Sequence, residues 1–223
     1  MNPSCVLLSG GLDSAVLLAL EMKSYAPVHP VHVRSGFAWE DAERRAIDRL
    51  LGTPAFSGAA PLSTVNVDMR DVYPATHWAV RGTPPAYDTP DEDVYLDGRN
   101  IVLLSKTAVL CARFGVERIA LGPLSDNPFP DASPEFFSTL ARALSVGLAK
   151  TIAIDSPLTS MHKDAVVKLG VELGVPLELT LSCMNPQGDA HCGACSKCRE
   201  RRDAFEAAGV ADPTTYCVDL RRK

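Results

Sequence analysis

The sequence predicts an α/β protein: a Rossmann-like, doubly wound parallel sheet of about five strands, followed by a small cysteine-rich subdomain at the C-terminus. Short apolar, β-branched runs alternate along the chain with segments of helical spacing. A glycine-rich turn joins the first of these runs to the first helical segment, and a cysteine cluster stands near the end. We therefore expect an α/β domain over 1–180 and a subdomain over 181–223.

Five runs have the length and composition of buried strands, and they cover 4–8, 28–33, 63–67, 117–121 and 151–154. Between them, apolar residues recur at helical spacing over 13–23, 39–51, 100–114, 134–149 and 162–173. Strands that are buried on both faces and alternate with amphipathic helices form parallel sheets with helices on both sides.

Several predicted helices carry signals for their ends. Gly52 and Gly115 stand where a left-handed residue commonly ends a helix, and Gly174 ends the helix before it. Ser133 offers an N-cap, and Pro134 suits the first helical position.

The stretch from 73 to 97 is different, because it is rich in prolines and acids and shows no periodicity. One interpretation is an ordered loop or flap that crosses the open edge of the sheet as a lid over the active site. A mobile surface excursion explains the composition equally well.

The composition limits the classes of function. Apolar residues make up 46% of the 223 residues, the net charge is −5 and the pI is about 5.5. This acidic balance argues against a protein that mainly grips nucleic acid. No apolar stretch has membrane-spanning length, and the N-terminus lacks the pattern of a signal peptide. We therefore expect a cytoplasmic protein, in which clustered cysteines indicate metal or redox chemistry more than disulfides.

The first strand is followed by the stretch LSGGLDS, residues 8–14, at the start of a helix. A helix N-terminus binds phosphate through unpaired N–H groups and the helix dipole, and serine hydroxyls add donors. Asp13 would repel phosphate unless a divalent cation lies between them, so the acid argues for Mg²⁺. The loop is neither a Walker A motif nor G-x-G-x-x-G. A tight structural turn is the alternative.

A second motif lies near the end of the chain, with the spacing C-x8-C-x2-C-x2-C. Its members are Cys183, Cys192, Cys195 and Cys198. Four thiolates suit a closed, structural zinc site, with His191 as a competing ligand. An iron–sulfur cluster is the rival interpretation. The other cysteines are scattered, and we expect Cys5 and Cys111 to lie in the core.

The S-G-G-x-D-S loop resembles the pyrophosphate loop of the ATP pyrophosphatases, which cleave ATP between its α and β phosphates and adenylate an oxygen. The order of motifs is more specific: this loop, then DGRNIVLLSKTA, LSDNPFPDASPEFF, SMHKDAVVKLGVELG and a four-cysteine tail that ends C-x-x-R. In this order the chain resembles the 7-cyano-7-deazaguanine synthase family over nearly its whole length. The resemblance implies conversion of 7-carboxy-7-deazaguanine, ammonia and ATP to the nitrile, with a zinc in the tail.

The resemblance also implies roles for single residues. Residues 8–14 hold the phosphates of ATP, Asp13 organises Mg²⁺, and Lys163 neutralises phosphate charge, with Arg99 as a second candidate for that task. Three further residues fall where the family binds its deazapurine, and they are Asp126, Phe129 and Asp131. The resemblance is compatible with a homodimer. The chain leaves no room for a glutaminase domain, so free ammonia or a separate donor is implied.

The chain departs from the family pattern on the acceptor side. Arg34 and Ser35 replace the Asp-Tyr of an Asp-Tyr-Gly-Gln element, and the loop SDNPFPDA is one residue shorter than expected. One alternative is therefore an adenylating enzyme that acts on another heterocyclic acid or on a protein C-terminus. Two further alternatives are a tRNA-thiolation protein and a zinc-stabilised scaffold that has lost catalysis.

Overall fold

A computed structural model describes residues 1–220 and shows a five-stranded, fully parallel sheet in the order β3-β2-β1-β4-β5. The strands are β1 Ser4–Leu7, β2 Val28–Arg34, β3 Ser63–Asn66, β4 Arg118–Ala120 and β5 Ala153–Asp155. All five predicted strands are present, with ends that differ from the prediction by one or two residues. Strands β2 and β3 extend the sheet on one side of β1, and β4 and β5 extend it on the other side. The strand order therefore reverses between β1 and β4. Ligands of such sheets bind at this switch point, beyond the carboxyl ends of the strands.

Seven α-helices are described: α1 Leu12–Ser24, α2 Glu40–Leu51, α3 Trp78–Arg81, α4 Arg99–Phe114, α5 Pro134–Leu148, α6 Lys163–Glu172 and α7 Ser196–Ala208. Side chains from α1, α2, α6 and α7 pack on one face of the sheet in a cluster that contains Val6. Helices α4 and α5 pack on the opposite face with Cys5. Neighbouring residues of β1 thus point into opposite cores, which confirms the doubly wound prediction. Cys5 and Cys111 are both fully buried in this second core, as expected.

The predicted helix ends are correct at three positions and wrong at one. Gly115 (φ +70°) and Gly174 (φ +68°) are left-handed, and the Ser133 side chain accepts a hydrogen bond from Phe136 N–H. Gly52 is right-handed (φ −74°), because α2 ends in a further helical turn in which Gly52 N–H donates to Asp48 O.

The proline-rich stretch at 73–97 is ordered and contains α3 and a short 3₁₀ helix, Asp91–Val94. The Tyr73 hydroxyl donates to Asp97 O at 2.6 Å and closes the base of the stretch. Its middle is tied to α7, because the Arg199 guanidinium donates to Tyr87 O and Thr89 O. These contacts favour the ordered-flap interpretation.

The cysteine-rich tail packs directly on the glycine turn. Leu181 N–H donates to Gly10 O at 2.8 Å, and Leu181 and Cys183 pack against Ala42 and Ala46 of α2. No helix within residues 1–220 combines the length and the apolar character needed to cross a membrane.

Candidate active site

The glycine turn lies at the switch point and is held in shape by its own serines. Ser9 N–H donates to Ser14 Oγ at 3.3 Å, Gly11 N–H donates to Ser9 Oγ at 3.3 Å, and the Ser14 hydroxyl donates to Gly11 O at 3.0 Å. The turn therefore has a defined shape at the N-terminus of α1, where the helix dipole favours an anion.

The two glycines of the turn lie close to other atoms of the protein, which leaves little space for a side chain at either position. Gly10 has φ +77°, and a Cβ there would lie 3.1 Å from Glu43 O and 3.2 Å from a side-chain carbon of Ile47. Gly11 has an ordinary φ of −72°, and a Cβ there would lie 3.2 Å from Ser9 Oγ. Gly10 is thus required by its backbone conformation and by the close approach of α2.

Asp13 is the acidic member of the turn, and its two oxygens differ. Oδ2 accepts a hydrogen bond from Lys163 Nζ at 2.6 Å. Oδ1 is buried and has no hydrogen-bond partner within residues 1–220. A buried carboxylate oxygen without a partner is costly, and a cation or a donor from a ligand would satisfy it. The structure thus brings Asp13 and Lys163 together.

The tail helix α7 adds two charged side chains to this pair. Lys163 Nζ lies 3.0 Å from a carboxylate oxygen of Glu200, and Lys197 Nζ lies 2.5 Å from the other oxygen of Glu200. Burial disfavours the charge on Lys163, but Asp13 and Glu200 outweigh it and raise the pKa of Lys163. Burial likewise opposes the charge on Glu200, but the two lysines outweigh it and lower its pKa to about 2.

Two adjoining cavities open at the carboxyl ends of the strands. The larger has a volume of about 350 Å³ and lies between the glycine turn, the loop after β4 and α7; Asp13, Arg99, Lys163, Lys197 and Glu200 all line it. The smaller, about 260 Å³, shares Asp13, Glu43 and Arg99 with it and adds the apolar side chains of Leu7, Val31, Val33, Leu103 and Leu121. Both cavities therefore contain charged side chains, and the smaller one adds an apolar wall that suits a flat group.

Arg99 and Glu43 lie where the two cavities meet. Arg99 begins α4, and its Nε is buried without a partner in the described part of the chain. Burial raises the pKa of Glu43 to about 7, although the positive charge of Arg99 lowers it in part. His32 lines the smaller cavity, its Nδ1 lies 3.1 Å from Leu8 O, and burial lowers its pKa to about 4.

Four residues of the site were not predicted to be functional from the sequence: Glu43, His32, Lys197 and Glu200, although the last two stand within the four-cysteine tail motif. A signal for the last two was present: their i,i+3 spacing places them on one face of a helix that starts at the cysteine motif.

The residues that we expected to contact an acceptor are found in different places. Asp126 and Phe129 line the larger cavity; Asp126 lies 2.6 Å from His162 Nδ1, and the Phe129 ring stacks on Tyr95 at 5.1 Å. Asp131 lines neither cavity. Its carboxylate accepts hydrogen bonds from the backbone and side chain of Asn100 and thereby caps α4. Burial raises its pKa. Asp131 therefore stabilises the start of α4, the helix that begins at Arg99.

The four predicted metal ligands converge. The Sγ atoms of Cys183, Cys192, Cys195 and Cys198 all lie within 4.8 Å of one another, and all four residues are buried. Backbone N–H groups donate to three of the sulfurs: Cys192 N–H to Cys183 Sγ at 3.2 Å, Gly193 N–H to Cys198 Sγ and Ala194 N–H to Cys192 Sγ, both at 3.4 Å. N–H groups directed at sulfur stabilise thiolates, so the cluster could hold a metal ion.

His191 is not part of this set. Its Nε2 accepts a hydrogen bond from Ser182 N–H at 3.0 Å, its ring meets Tyr216 edge to face, and burial lowers its pKa to about 3. Cys217 is exposed and lies outside the cluster.

A doubly wound parallel sheet with a serine–glycine–aspartate turn at its switch point is the arrangement of a PP-loop-type α/β fold. The comparison with known families is more specific. The model of the family described as "Queuosine biosynthesis protein QueC" matches residues 4–209, so this chain belongs to that family.

Curated relatives extend this result over nearly the whole chain. The chain is 34% identical to the 7-cyano-7-deazaguanine synthase of Methanothrix thermoacetophila, over 97% of this chain and 99% of the relative. It is 35% identical to the synthase of Methanopyrus kandleri, over 97% and 99%, and 32% identical to that of Xanthomonas campestris, over 98% and 99%.

Two solved structures share the fold at low identity. A 4-thiouridine synthetase in complex with RNA and ATP superimposes with a TM-score of 0.52 and 18% identity, over 99% of this chain and 49% of the synthetase. A protein of Methanocaldococcus jannaschii, described as a tRNA methyltransferase subunit, gives a TM-score of 0.50 and 17% identity, over 77% and 75%.

Proposed function

We propose that this protein is an ATP-dependent carbon–nitrogen ligase that converts 7-carboxy-7-deazaguanine and ammonia to 7-cyano-7-deazaguanine. The observation that carries the proposal is the buried, unpartnered Oδ1 of Asp13, in a phosphate-binding turn beside Lys163. The names of the curated relatives supply the acceptor. ATP, ammonia and the acid are reagents of the cytoplasm, and a four-thiol site persists best in a reducing compartment, so we place the enzyme there.

The reaction needs activation because a carboxylate is anionic and its oxygen is a poor leaving group. In the first stage a carboxylate oxygen attacks the α-phosphorus of ATP and pyrophosphate leaves. Ammonia then displaces AMP, loses a proton and leaves an amide. In the second stage the amide oxygen attacks a second ATP, pyrophosphate leaves again, and loss of AMP and two protons forms the nitrile.

The residues fit these steps as follows. The apolar wall of the smaller cavity takes the adenine, and the N–H groups at the start of α1 take the phosphates. Asp13 Oδ1 is suited to hold Mg²⁺, which supplies charge neutralisation on the phosphates when bound. Lys163 and Arg99 stabilise the charge that develops on the leaving pyrophosphate. The deazapurine lies in the larger cavity against Phe129, with Asp126 as an acceptor for a ring N–H.

We further propose that the four cysteines hold one structural Zn²⁺. Four sulfurs at about 2.3 Å from a central ion lie about 3.8 Å apart. The Cys192–Cys198 and Cys195–Cys198 sulfur distances are 3.9 and 3.5 Å, which fits one ion and leaves too little room for a cluster of several irons. Elemental analysis should give about one zinc per chain; a brown protein that contains iron would refute the assignment.

The test of the function is a mass-resolved assay with ATP, Mg²⁺, ammonium and 7-carboxy-7-deazaguanine, which follows nucleotide and base together. Nitrile and AMP are expected from the wild type. Asp13→Asn should abolish both, whereas Asp48→Asn, on the exposed face of α2, should leave them unchanged. AMP without a change of the base would point to a different carboxylate, and nitrile formation by Asp13→Asn would refute the role of the turn.

A further inference from the structure

The first turn of α7 connects the cysteine cluster to the charged cavity. Cys195 immediately precedes the helix and Cys198 lies in its first turn, and both belong to the metal-binding set. Between and just after them stand Lys197 and Glu200, which line the larger cavity. The segment that holds the sulfurs thus also fixes two charged side chains at the phosphate-binding end of the site.

Glu200 bridges two lysines from different helices. One carboxylate oxygen lies 3.0 Å from Lys163 Nζ, and the other lies 2.5 Å from Lys197 Nζ. Lys163 also donates to Asp13, so its ammonium group is held between two carboxylates. The side chains of Lys163 and Glu200 are only 19% and 22% exposed, so these contacts are poorly screened by solvent.

This arrangement reduces the competition between Lys163 and the phosphate site for the carboxylate of Asp13. If Asp13 were the only anion near Lys163, its carboxylate would have to balance the charge of the lysine and also bind a cation at the phosphate site. Glu200 takes up part of the lysine's charge from the opposite side. Asp13 can then bind Lys163 through Oδ2 and leave Oδ1 without a hydrogen-bond partner in the described residues, as the structure shows. Lys163 is therefore also contacted by a residue of the tail.

We propose that Glu200 is a positioning residue of the nucleotide site, which holds the ammonium group of Lys163 beside Asp13. The role of Lys163 in phosphate chemistry rests on the proposed function, but its position in the free protein does not. If Glu200 only joined α7 to α6, its neutral isostere would lower stability and leave the chemical step unchanged.

The experiment compares Glu200→Gln with the wild type and with Glu172→Gln. The control makes the same charge change on the exposed end of α6, the helix that carries Lys163. The first readout is the NMR signal of the Lys163 ammonium group, identified by its loss in Lys163→Arg. The second is kcat and KM for ATP, measured as AMP formation.

In Glu200→Gln the Lys163 signal should shift or broaden, because one of its two carboxylate partners has lost its charge. We expect kcat to fall about 10- to 100-fold, the scale of a misplaced catalytic group, with KM for ATP changed less than about threefold. Glu200→Asp keeps the charge on a shorter side chain and should recover part of kcat. Glu172→Gln should match the wild type in both readouts.

An unchanged Lys163 signal in Glu200→Gln, or a kcat within about threefold of the wild type, would overturn the inference. If Glu200→Gln does not fold, Glu200→Asp decides: its shorter side chain should still shift the Lys163 signal and lower kcat, and a signal and kcat equal to those of the wild type would overturn the inference. A wild type that forms no nitrile would refute the proposed function, and the NMR signal would still decide the position of Lys163.

Discussion

Replacing Gly10 by alanine tests whether the shape of the glycine turn is set by the fold. Two features oppose a side chain there: the left-handed backbone (φ +77°), and α2, whose nearest atoms would lie 3.1–3.3 Å from the new Cβ. One of these atoms is the backbone oxygen of Glu43, which cannot move without shifting the helix. Gly115 offers a matched control, since it has a similar φ of +70° but nothing within 4 Å of the place that a Cβ would occupy.

The magnitudes follow from these two features. A left-handed alanine costs about 1–2 kcal/mol, which is all that Gly115→Ala should lose. Gly10→Ala adds the cost of overpacking against α2, about 1–3 kcal/mol, for a total of about 2–5 kcal/mol. The turn should also be displaced, so the Kd for Mg-ATP should rise in Gly10→Ala and stay unchanged in Gly115→Ala.

Urea unfolding gives the two free energies, and calorimetric titration with Mg-ATP gives the two dissociation constants. Both should be measured at a temperature where each variant is fully folded. The reasoning would be refuted if Gly10→Ala were no less stable than Gly115→Ala, because the contacts with α2 would then impose no cost. Unchanged ATP binding in Gly10→Ala would show that the ligand does not depend on the observed shape of the turn.

Three further predictions address the tail, the flap and the buried acid. Cys198→Ser should lose bound metal while Cys217→Ser, at the exposed cysteine, should keep it; equal metal contents by elemental analysis would contradict the ligand set. Arg199→Met removes the hydrogen bonds to the backbone at 87 and 89, so limited proteolysis should cut there several-fold faster, and an unchanged cleavage rate would exclude this anchor. Burial raises the pKa of Glu43 from 4.5 to about 7, so its contribution to stability is complete below pH 4.5 and is lost as the pH rises through 7. Glu43→Gln should therefore gain up to about 3 kcal/mol at pH 8 relative to pH 4 in urea unfolding; an equal effect at both pH values would refute the shift.

The sequence alone was sufficient for the parts of the fold that depend on local pattern. The five strands, the turn at 9–14 and the four sulfurs all follow from short-range spacing, and the structure contains each of them. Gly115 also follows from local chemistry, because a helix that must stop there favours a left-handed residue. Gly52 shows the limit: the same signal was present, but the chain continued in a right-handed turn.

The charged site depends on tertiary contacts that no local pattern contains. Glu200 meets Lys163 only because α7 packs on α6, and Glu43 lies at the cavities only because α2 passes over Gly10. Asp131 is the opposite case. It lies in a motif that suggested substrate binding, but its carboxylate accepts a hydrogen bond from Asn100 at the start of α4.

The glycine turn is contacted from two sides, and one of these contacts comes from the cysteine-rich tail. On one side α2 approaches Gly10 closely; on the other, Leu181 N–H donates to Gly10 O. Residues 177–182 are themselves fixed by Arg201, whose buried guanidinium donates to Leu177 O, Thr180 Oγ1 and Ser182 Oγ. Since Arg201 follows the last cysteine of the cluster by three positions on α7, a continuous series of contacts connects the cysteine cluster with the glycine turn. A change that loosens the cluster should therefore weaken ATP binding even where no residue of the turn is altered.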